Sequence, residues 1–395
     1  NVSLSGPLGT QEAMQLMSGR YCTYEMLMDA AKGADMVVGD YFHVFGSDGL
    51  MKRTGKQLSD TIIIVDEAHN LSARLRSSLS SRLSTRTCEL AAREAGEAGE
   101  AEARDYIIDI GKAIQRLGKK YLFNQQEIFV TRDELMEMVL EIGNYDKIIE
   151  TLTRTAEHVL EERKISFTDR VAAFLHAWKG DDYGYARILS RQRTRGEDHI
   201  GLQYNCLDPS LISKSIIAES HSTILMSGTL SPMEMHRDLL GMQPERTVMH
   251  SYESSFPKKN RRNIIVDGIT TKYTERNEKN FSRIADIVTR CVHAINGNAA
   301  VFFPSYELRD IICNIADIET HVVLEKNTMT KDERDRIKDQ MQQHAESTGC
   351  VLMGVLGGSF SEGVDLPGNL LNGVIVVGLP LEKPSLSSKA LIDYY

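Results

Sequence analysis

The run TIIIV (61–65) passes without a break into DEAHN (66–70), and this junction constrains the chain more than any other segment. A short β-branched run of this kind suits a strand buried on both faces of a parallel sheet. Ligand chemistry in open α/β sheets sits just beyond the carboxyl ends of strands, where Asp66 and Glu67 fall. Two adjacent carboxylates there suit metal-assisted phosphoryl transfer, with Asp66 as an oxygen ligand to Mg²⁺ and Glu67 orienting or deprotonating the attacking water. His69 follows two residues on and can link such a site to a neighbouring element. The same residues, Asp66 to Asn70, would also serve as caps for a following helix.

Two further loops follow apolar strands. SGTLSP (227–232) comes directly after STILM (222–226), where Gly228 permits a sharp turn and the hydroxyls of Ser227 and Thr229 can bond to His69 or to a ligand. GGSFSEGVDLPG (357–368) lies between CVLMGVL and GVIVVGL. Its glycines allow close approach to a ligand, Ser359 and Ser361 offer hydroxyls, and Glu362 and Asp365 offer acceptors. An ordinary turn and a surface crossover loop are the plainer readings of the two.

Periodicity divides the chain into blocks. MVVGDYFHVF (36–45) and TIIIV read as strands, residues 71–199 as mostly helical with almost no strand signal, and from Gly201 the α/β pattern resumes. After SFPKKNRR (255–262), strand NIIV (263–266) opens a second alternating series, as expected of a parallel sheet with helices on both faces. The stretch REAGEAGEAEARD (93–105) reads as a solvated helix or loop.

The remaining arithmetic excludes more than it proposes. The chain has 395 residues, 42% hydrophobic and 26% charged, with a net charge of −9, so there is no global basic field and any nucleic-acid site must be a local patch. No segment approaches the roughly 18 apolar residues of a membrane helix, and the first residues lack a signal-peptide layout, so membrane insertion and secretion are not expected. The cysteines Cys22, Cys88, Cys206, Cys291, Cys313 and Cys350 form no C-x-x-C pair. A reducing, intracellular setting is the expectation.

Taken together, the motifs resemble the XPD family of superfamily-two DNA helicases, of the archaeal, iron–sulfur type. VDEAHN resembles the family's DEAH hydrolysis motif and SGTL its coupling motif. FFPSY (302–306) is similar to the element opening the second motor domain, and SFSEGVDLPG to the motif that contacts nucleotide and DNA. The 158 residues separating His69 from Ser227 accommodate the helical block where this family carries an arch domain, unlike an ordinary DEAH-type RNA helicase. The resemblance implies two RecA-like parallel-sheet motor domains with ATP and Mg²⁺ in the cleft between them, the first interrupted by a mostly helical insertion. The expected division is 1–72 for the end of an iron–sulfur region and part of motor domain 1, 73–200 for the insertion, 201–252 for the rest of motor domain 1, and 253–395 for motor domain 2.

The resemblance also gives Cys22, followed by Thr23 and Tyr24, the place of one of four thiolate ligands to a 4Fe–4S cluster. It implies a 5′→3′ DNA helicase in nucleotide excision repair, acting on single-stranded and forked DNA, with repair proteins as partners and a cytoplasmic, nucleoid-associated location in a prokaryote. A DinG-type repair helicase and a non-catalytic DNA-binding scaffold with the same fold are the alternatives. For DNA contact the candidates are Arg187, Arg191, Arg193 and Arg195, which follow an aromatic-rich stretch, with Ser305 and Tyr306; a solvated face explains the arginines equally. No G-K-[ST] phosphate loop and no arginine-bearing motif is found, so a piece is expected to be missing at each end and the fragment alone to be inactive.

Overall fold

The computed structural model describes residues 22–46, 50–194, 196–345, 347–368, 370–381 and 384–395. The chain forms two compact units, one comprising 1–252 with 384–395 and the other 253–383.

In the first unit, helices α1 (Thr23–Lys32), α2 (Phe42–Phe45) and α3 (Leu50–Thr54) precede strand β1 (Ile62–Val65) and helix α4 (Leu71–Leu79). The expected strand over 36–45 does not form: 36–40 are irregular and 42–45 are helical. A short apolar run does not distinguish strand from helix by its period, and Phe45 is buried here from a helical turn.

Residues between α4 and the return of the α/β pattern build one hydrophobic core from helices and a sheet. The elements are β2 (Ser81–Ser84), α5 (Thr85–Glu97), α6 (Ala101–Tyr121), β3 (Glu127–Phe129), α7 (Arg132–Ile142), α8 (Tyr145–Glu162), α9 (Phe167–Trp178), β4 (Tyr185–Thr194) and β5 (Glu197–Cys206). Helix starts follow local chemistry: Ser84 Oγ, Asn144 Oδ1 and Ser166 Oγ each accept an N–H in the first turn, and Thr131 with Glu134 forms a capping box. Ile107, Ile110, Ile114 and Leu117 make the buried stripe of α6 against Leu135, Val139, Ile148 and Leu152.

This block is not strand-free. Its four strands form an antiparallel sheet in the order β2-β5-β4-β3, and β4 pairs with β5 from Tyr185↔Cys206 to Thr194↔Glu197. Residues 201–206, expected to reopen the first α/β block, belong to this sheet. Ile188, Leu189 and Leu202 are buried in β4 and β5, so the alternation that marks a half-exposed strand is blurred. Nor is 93–105 simply solvated, since Glu94, Ala95 and Ala103 are buried. The Glu94 carboxylate accepts from Thr168 N at 2.7 Å, Thr168 Oγ1 at 3.0 Å and Ser166 Oγ at 3.2 Å, tying α5 to the start of α9.

Helix α10 (Ser210–Glu219) leads into β6 (Ser222–Leu225) and then α11 (Met233–Leu239). β6 lies parallel to β1 in register Ile62↔Ser222 through Val65↔Leu225. Ile63 and Val65 are buried, whereas Ile62 and Ile64 are 57% and 59% exposed, so β1 covers one face and not the two expected.

The second unit contains α12 (Glu278–His293), β7 (Ala299–Phe303), α13 (Tyr306–Ile315), β8 (His321–Leu324), α14 (Lys331–Ala345), β9 (Cys350–Val355) and β10 (Gly373–Val376). The strands form a parallel sheet in the order β10-β7-β9-β8. β7 and β9 are buried along their whole length. The expected strand over 263–266 does not form; these residues are irregular and lie outside any sheet.

The final helix, α15 (Leu386–Tyr394), belongs to the first unit, although 253–395 was expected to be one motor domain. Glu127 Oε2 accepts the Leu386 N–H at 2.8 Å, Asn205 donates to Ser387 Oγ at 2.8 Å, and Tyr394 donates to Asp208 at 2.9 Å.

Candidate functional site

Strand β1 delivers Asp66 and Glu67 past its carboxyl end, and the β1–β6 pairing continues beyond the strands. Met226 N–H donates to Val65 O and Ala68 N–H to Met226 O, each at 3.0 Å, which brings Ser227 beside the carboxylates. Asp66 Oδ1 accepts the Glu67 N–H at 2.8 Å, and Glu67 takes a left-handed backbone (φ 47°, ψ 41°). The Tyr41 hydroxyl braces the turn by donating to Asp66 O at 2.9 Å and Glu67 O at 3.3 Å. Burial pushes the Tyr41 phenol up from its ordinary value, so it stays a donor at neutral pH. Neither Glu67 nor Asn70 caps the helical turns that follow through its side chain.

Four side chains, two from each of two loops about 160 residues apart, converge here. His69 Nδ1 lies 2.7 Å from Ser227 Oγ and 3.2 Å from Thr229 Oγ1, and Ser227 Oγ donates to Glu67 Oε2 at 3.2 Å. His69 Nδ1 is 3.3 Å from the same carboxylate oxygen. Thr229 N–H donates to Ser227 Oγ at 3.1 Å, fixing that hydroxyl, while Gly228 leaves open space beside its backbone. Both carboxylates remain exposed, which suits groups that must reach a ligand.

In the second unit, Tyr306, Asn327 and residues 355–359 line a pocket beyond the carboxyl ends of β7, β8 and β9. Ser305 Oγ accepts the Leu308 N–H at 3.3 Å as the cap of α13, and the Tyr306 hydroxyl donates to Lys326 O at 3.3 Å. The loop after β9 uses left-handed glycines at Gly357 (φ 79°) and Gly363 (φ 67°). Ser361 Oγ donates to Gly358 O at 2.9 Å, whereas Glu362, Gly363 and Asp365 are exposed. Ser359 presents its N–H to Glu325, a buried carboxylate that sequence reading passed over. A charged residue closing the apolar run HVVLE was the available signal.

The arginine cluster divides. Arg187 is buried, donating to Asp182, Trp178 O and Gly180 O and lying 4.6 Å from the Tyr204 ring, so its charge is spent inside the insertion. This removes it from the candidates for DNA contact. Arg191 donates to Leu122 O at 2.9 Å, Arg193 is exposed on the β4–β5 hairpin, and Arg195 lies outside the described residues. Trp178, in the aromatic-rich stretch before these arginines, is fully buried.

Asp66 fits an oxygen ligand for Mg²⁺, being an exposed carboxylate at a strand end. Cys22 is an exposed thiol at the start of α1, but among the described residues no group of three or more His, Cys, Asp or Glu side chains is placed to hold a metal. They do not by themselves make a cluster site. No helix among them is long and apolar enough to cross a membrane.

Residues 288–395 match the family described as Helicase C-terminal domain, and residues 12–88 match the family described as DEAD_2. The ATP-dependent DNA helicase CHL1 of Kluyveromyces lactis is 24% identical over 424 residues, covering 94% of this chain and 49% of that protein. The ATP-dependent DNA helicase XPD of Sulfolobus acidocaldarius is 22% identical over 379 residues, covering 93% of this chain and 63% of that protein. The chain thus spans about half the length of its CHL1 relatives. Among solved structures, "XPD_Helicase" superposes with a TM-score of 0.61 at 20% identity, covering 96% of this chain and 65% of that one, and "XPD_APO" with 0.59 at 20% identity, covering 90% and 67%. The chain therefore has the fold of these XPD structures and carries one segment that matches DEAD_2 and one that matches the Helicase C-terminal domain.

Proposed function

We propose that the complete protein is an ATP-dependent DNA helicase in which this chain supplies the hydrolytic carboxylates and the coupling loops. The observation that carries the reading is the convergence of Glu67, His69 and Ser227 at the ends of two paired parallel strands. Glu67 is exposed and can accept the proton of a water attacking the terminal phosphorus, with ADP as the leaving group. Asp66 would hold Mg²⁺, which when bound neutralises charge on the phosphate oxygens. His69 and Ser227 join that carboxylate to the loop leaving β6, so a change at the phosphate is felt at Thr229.

The finer parts of the reading are 5′→3′ translocation on single-stranded and forked DNA, a role in nucleotide excision repair with repair proteins as partners, and an intracellular, nucleoid-associated setting. They rest on the resemblance of the motifs to XPD. A 4Fe–4S cluster ligated in part by Cys22 belongs to the same group, and iron content of the complete protein with and without Cys22→Ser decides it.

Glu67→Gln in the complete protein should lower ATP turnover by a factor of about 10² or more while single-strand binding persists, as expected for loss of a general base. Unchanged turnover would remove Glu67 from the chemistry.

A further inference from the structure

Glu325 follows β8, is fully buried, and has no part in the hydrolytic carboxylate pair. Burying an ionised carboxylate is costly unless it is paired and hydrogen-bonded, so its partners indicate its purpose. Oε2 accepts the Val355 N–H at 2.9 Å and Oε1 accepts the Ser359 N–H, clasping the turn through which β9 passes into the candidate nucleotide and DNA loop. The Glu325 backbone donates to Met353 O at 3.0 Å and accepts from Arg309 Nη1. Arg309 is itself buried on α13, the helix that begins at Ser305 and Tyr306. One residue thus joins both stretches that line the pocket.

The glycines of GVLGGS bear this out. A Cβ on Gly354 would lie 2.6 Å from Glu325 Oε2, and one on Gly358 2.5 Å from Oε1. Neither glycine has a positive φ, so backbone conformation does not require them. The space taken by the carboxylate does.

We propose that Glu325 is the positioning residue of the loop carrying Ser359, Ser361, Glu362 and Asp365, holding its stem so that the exposed part meets single-stranded nucleic acid in one arrangement. What the loop binds rests on the helicase reading; the hold on its stem does not.

Glu325→Gln keeps the shape and one acceptor oxygen but turns an amide NH₂ toward the other N–H. Hydrogen exchange at amides 355–361 should then rise at least about tenfold with exchange in β7 and α12 unchanged, and affinity of the complete protein for fluorescein-labelled oligo(dT) should fall at least about fivefold. Gly358→Ala, which retains Glu325 but crowds its carboxylate, should move both readouts in the same direction and decides the matter if the glutamine variant does not fold. Unchanged loop exchange, exchange rising equally across β7 and α12, or a loosened loop with undiminished oligo(dT) affinity each overturns the proposal. If the unmodified protein does not bind oligo(dT), the helicase reading fails, and the exchange data still show whether Glu325 holds the loop.

Discussion

Ser227 Oγ lies 2.7 Å from His69 Nδ1 and 3.2 Å from Glu67 Oε2, so one hydroxyl on the loop after β6 touches two side chains on the loop after β1. Its single proton serves only one of them, and Thr229 N–H already occupies one of its lone pairs. The hydroxyl therefore responds to the hydrogen-bonding role of the histidine nitrogen and to the position of the carboxylate together. Ser227→Ala in the complete protein should reduce ATP hydrolysis about tenfold, in keeping with loss of about 1–1.5 kcal/mol of hydrogen bonding. Unwinding should fall further than hydrolysis. The ratio of base pairs opened to ATP consumed measures this, and equal losses would refute a coupling role.

Arg187 makes a second, purely structural prediction. Its guanidinium lies between Trp178 and Tyr204 at 5.2 and 4.6 Å from the ring centroids, with main-chain oxygens of Trp178 and Gly180 as acceptors. Arg187→Ala leaves those acceptors unpaired and the rings without their cation, costing about 3 kcal/mol. Trp178 is the sole tryptophan of the chain and fully buried, so its fluorescence reports unfolding of the insertion directly. Arg193→Ala, on the exposed hairpin, should leave that transition unmoved.

His236 predicts a loss of stability toward acid. It is buried on α11 with Nδ1 unpartnered among the described residues, and burial, followed by the proximity of His69, holds it below the ordinary histidine range. The imidazolium is thus disfavoured in the folded state. Above the unfolded value of about 6.5 both states are neutral and nothing is lost; as pH falls through it, the unfolded chain takes up the proton first and stability declines until the folded value is passed. The melting temperature should therefore drop less steeply between about pH 6.5 and 5 in His236→Leu than in the unmodified protein. Parallel pH profiles would count against it.

The contrast between these residues shows what sequence carries. Asp66, Glu67, His69 and Ser227 were legible because strand-end position and a long separation are written in the order of residues. The alternating elements of the second unit were legible because short apolar runs and amphipathic stretches alternate there, each bounded by polar turns. Arg187 was not, since a charged side chain in a run of arginines reads as solvated until its partners, which come from the end of α9, the turn before β4 and β5, are in place. Glu325 was missed for the same reason: its meaning comes from N–H groups at 355 and 359, about 30 residues away. Residues 36–45 show the converse, an apolar run whose period fits two structures and whose outcome is set by packing.

Glu67 combines the hydrolytic assignment with a conformational cost. At φ 47° its Cβ crowds the following carbonyl, which costs about 1–2 kcal/mol for a residue other than glycine. Glycine at this position removes that strain but adds about 0.5–1 kcal/mol of chain entropy on folding. Glu67→Gly should therefore be as stable as the unmodified protein or up to about 1.5 kcal/mol more so, whereas Glu67→Ala, which keeps the strain, should not gain. Both variants lack the carboxylate and should lose hydrolysis alike. Urea unfolding of the two variants side by side separates the effects, because only the difference between Gly and Ala reports the backbone. Equal midpoints would mean that the left-handed turn stores no strain, while the predicted order would show stability given up at the residue proposed to activate water.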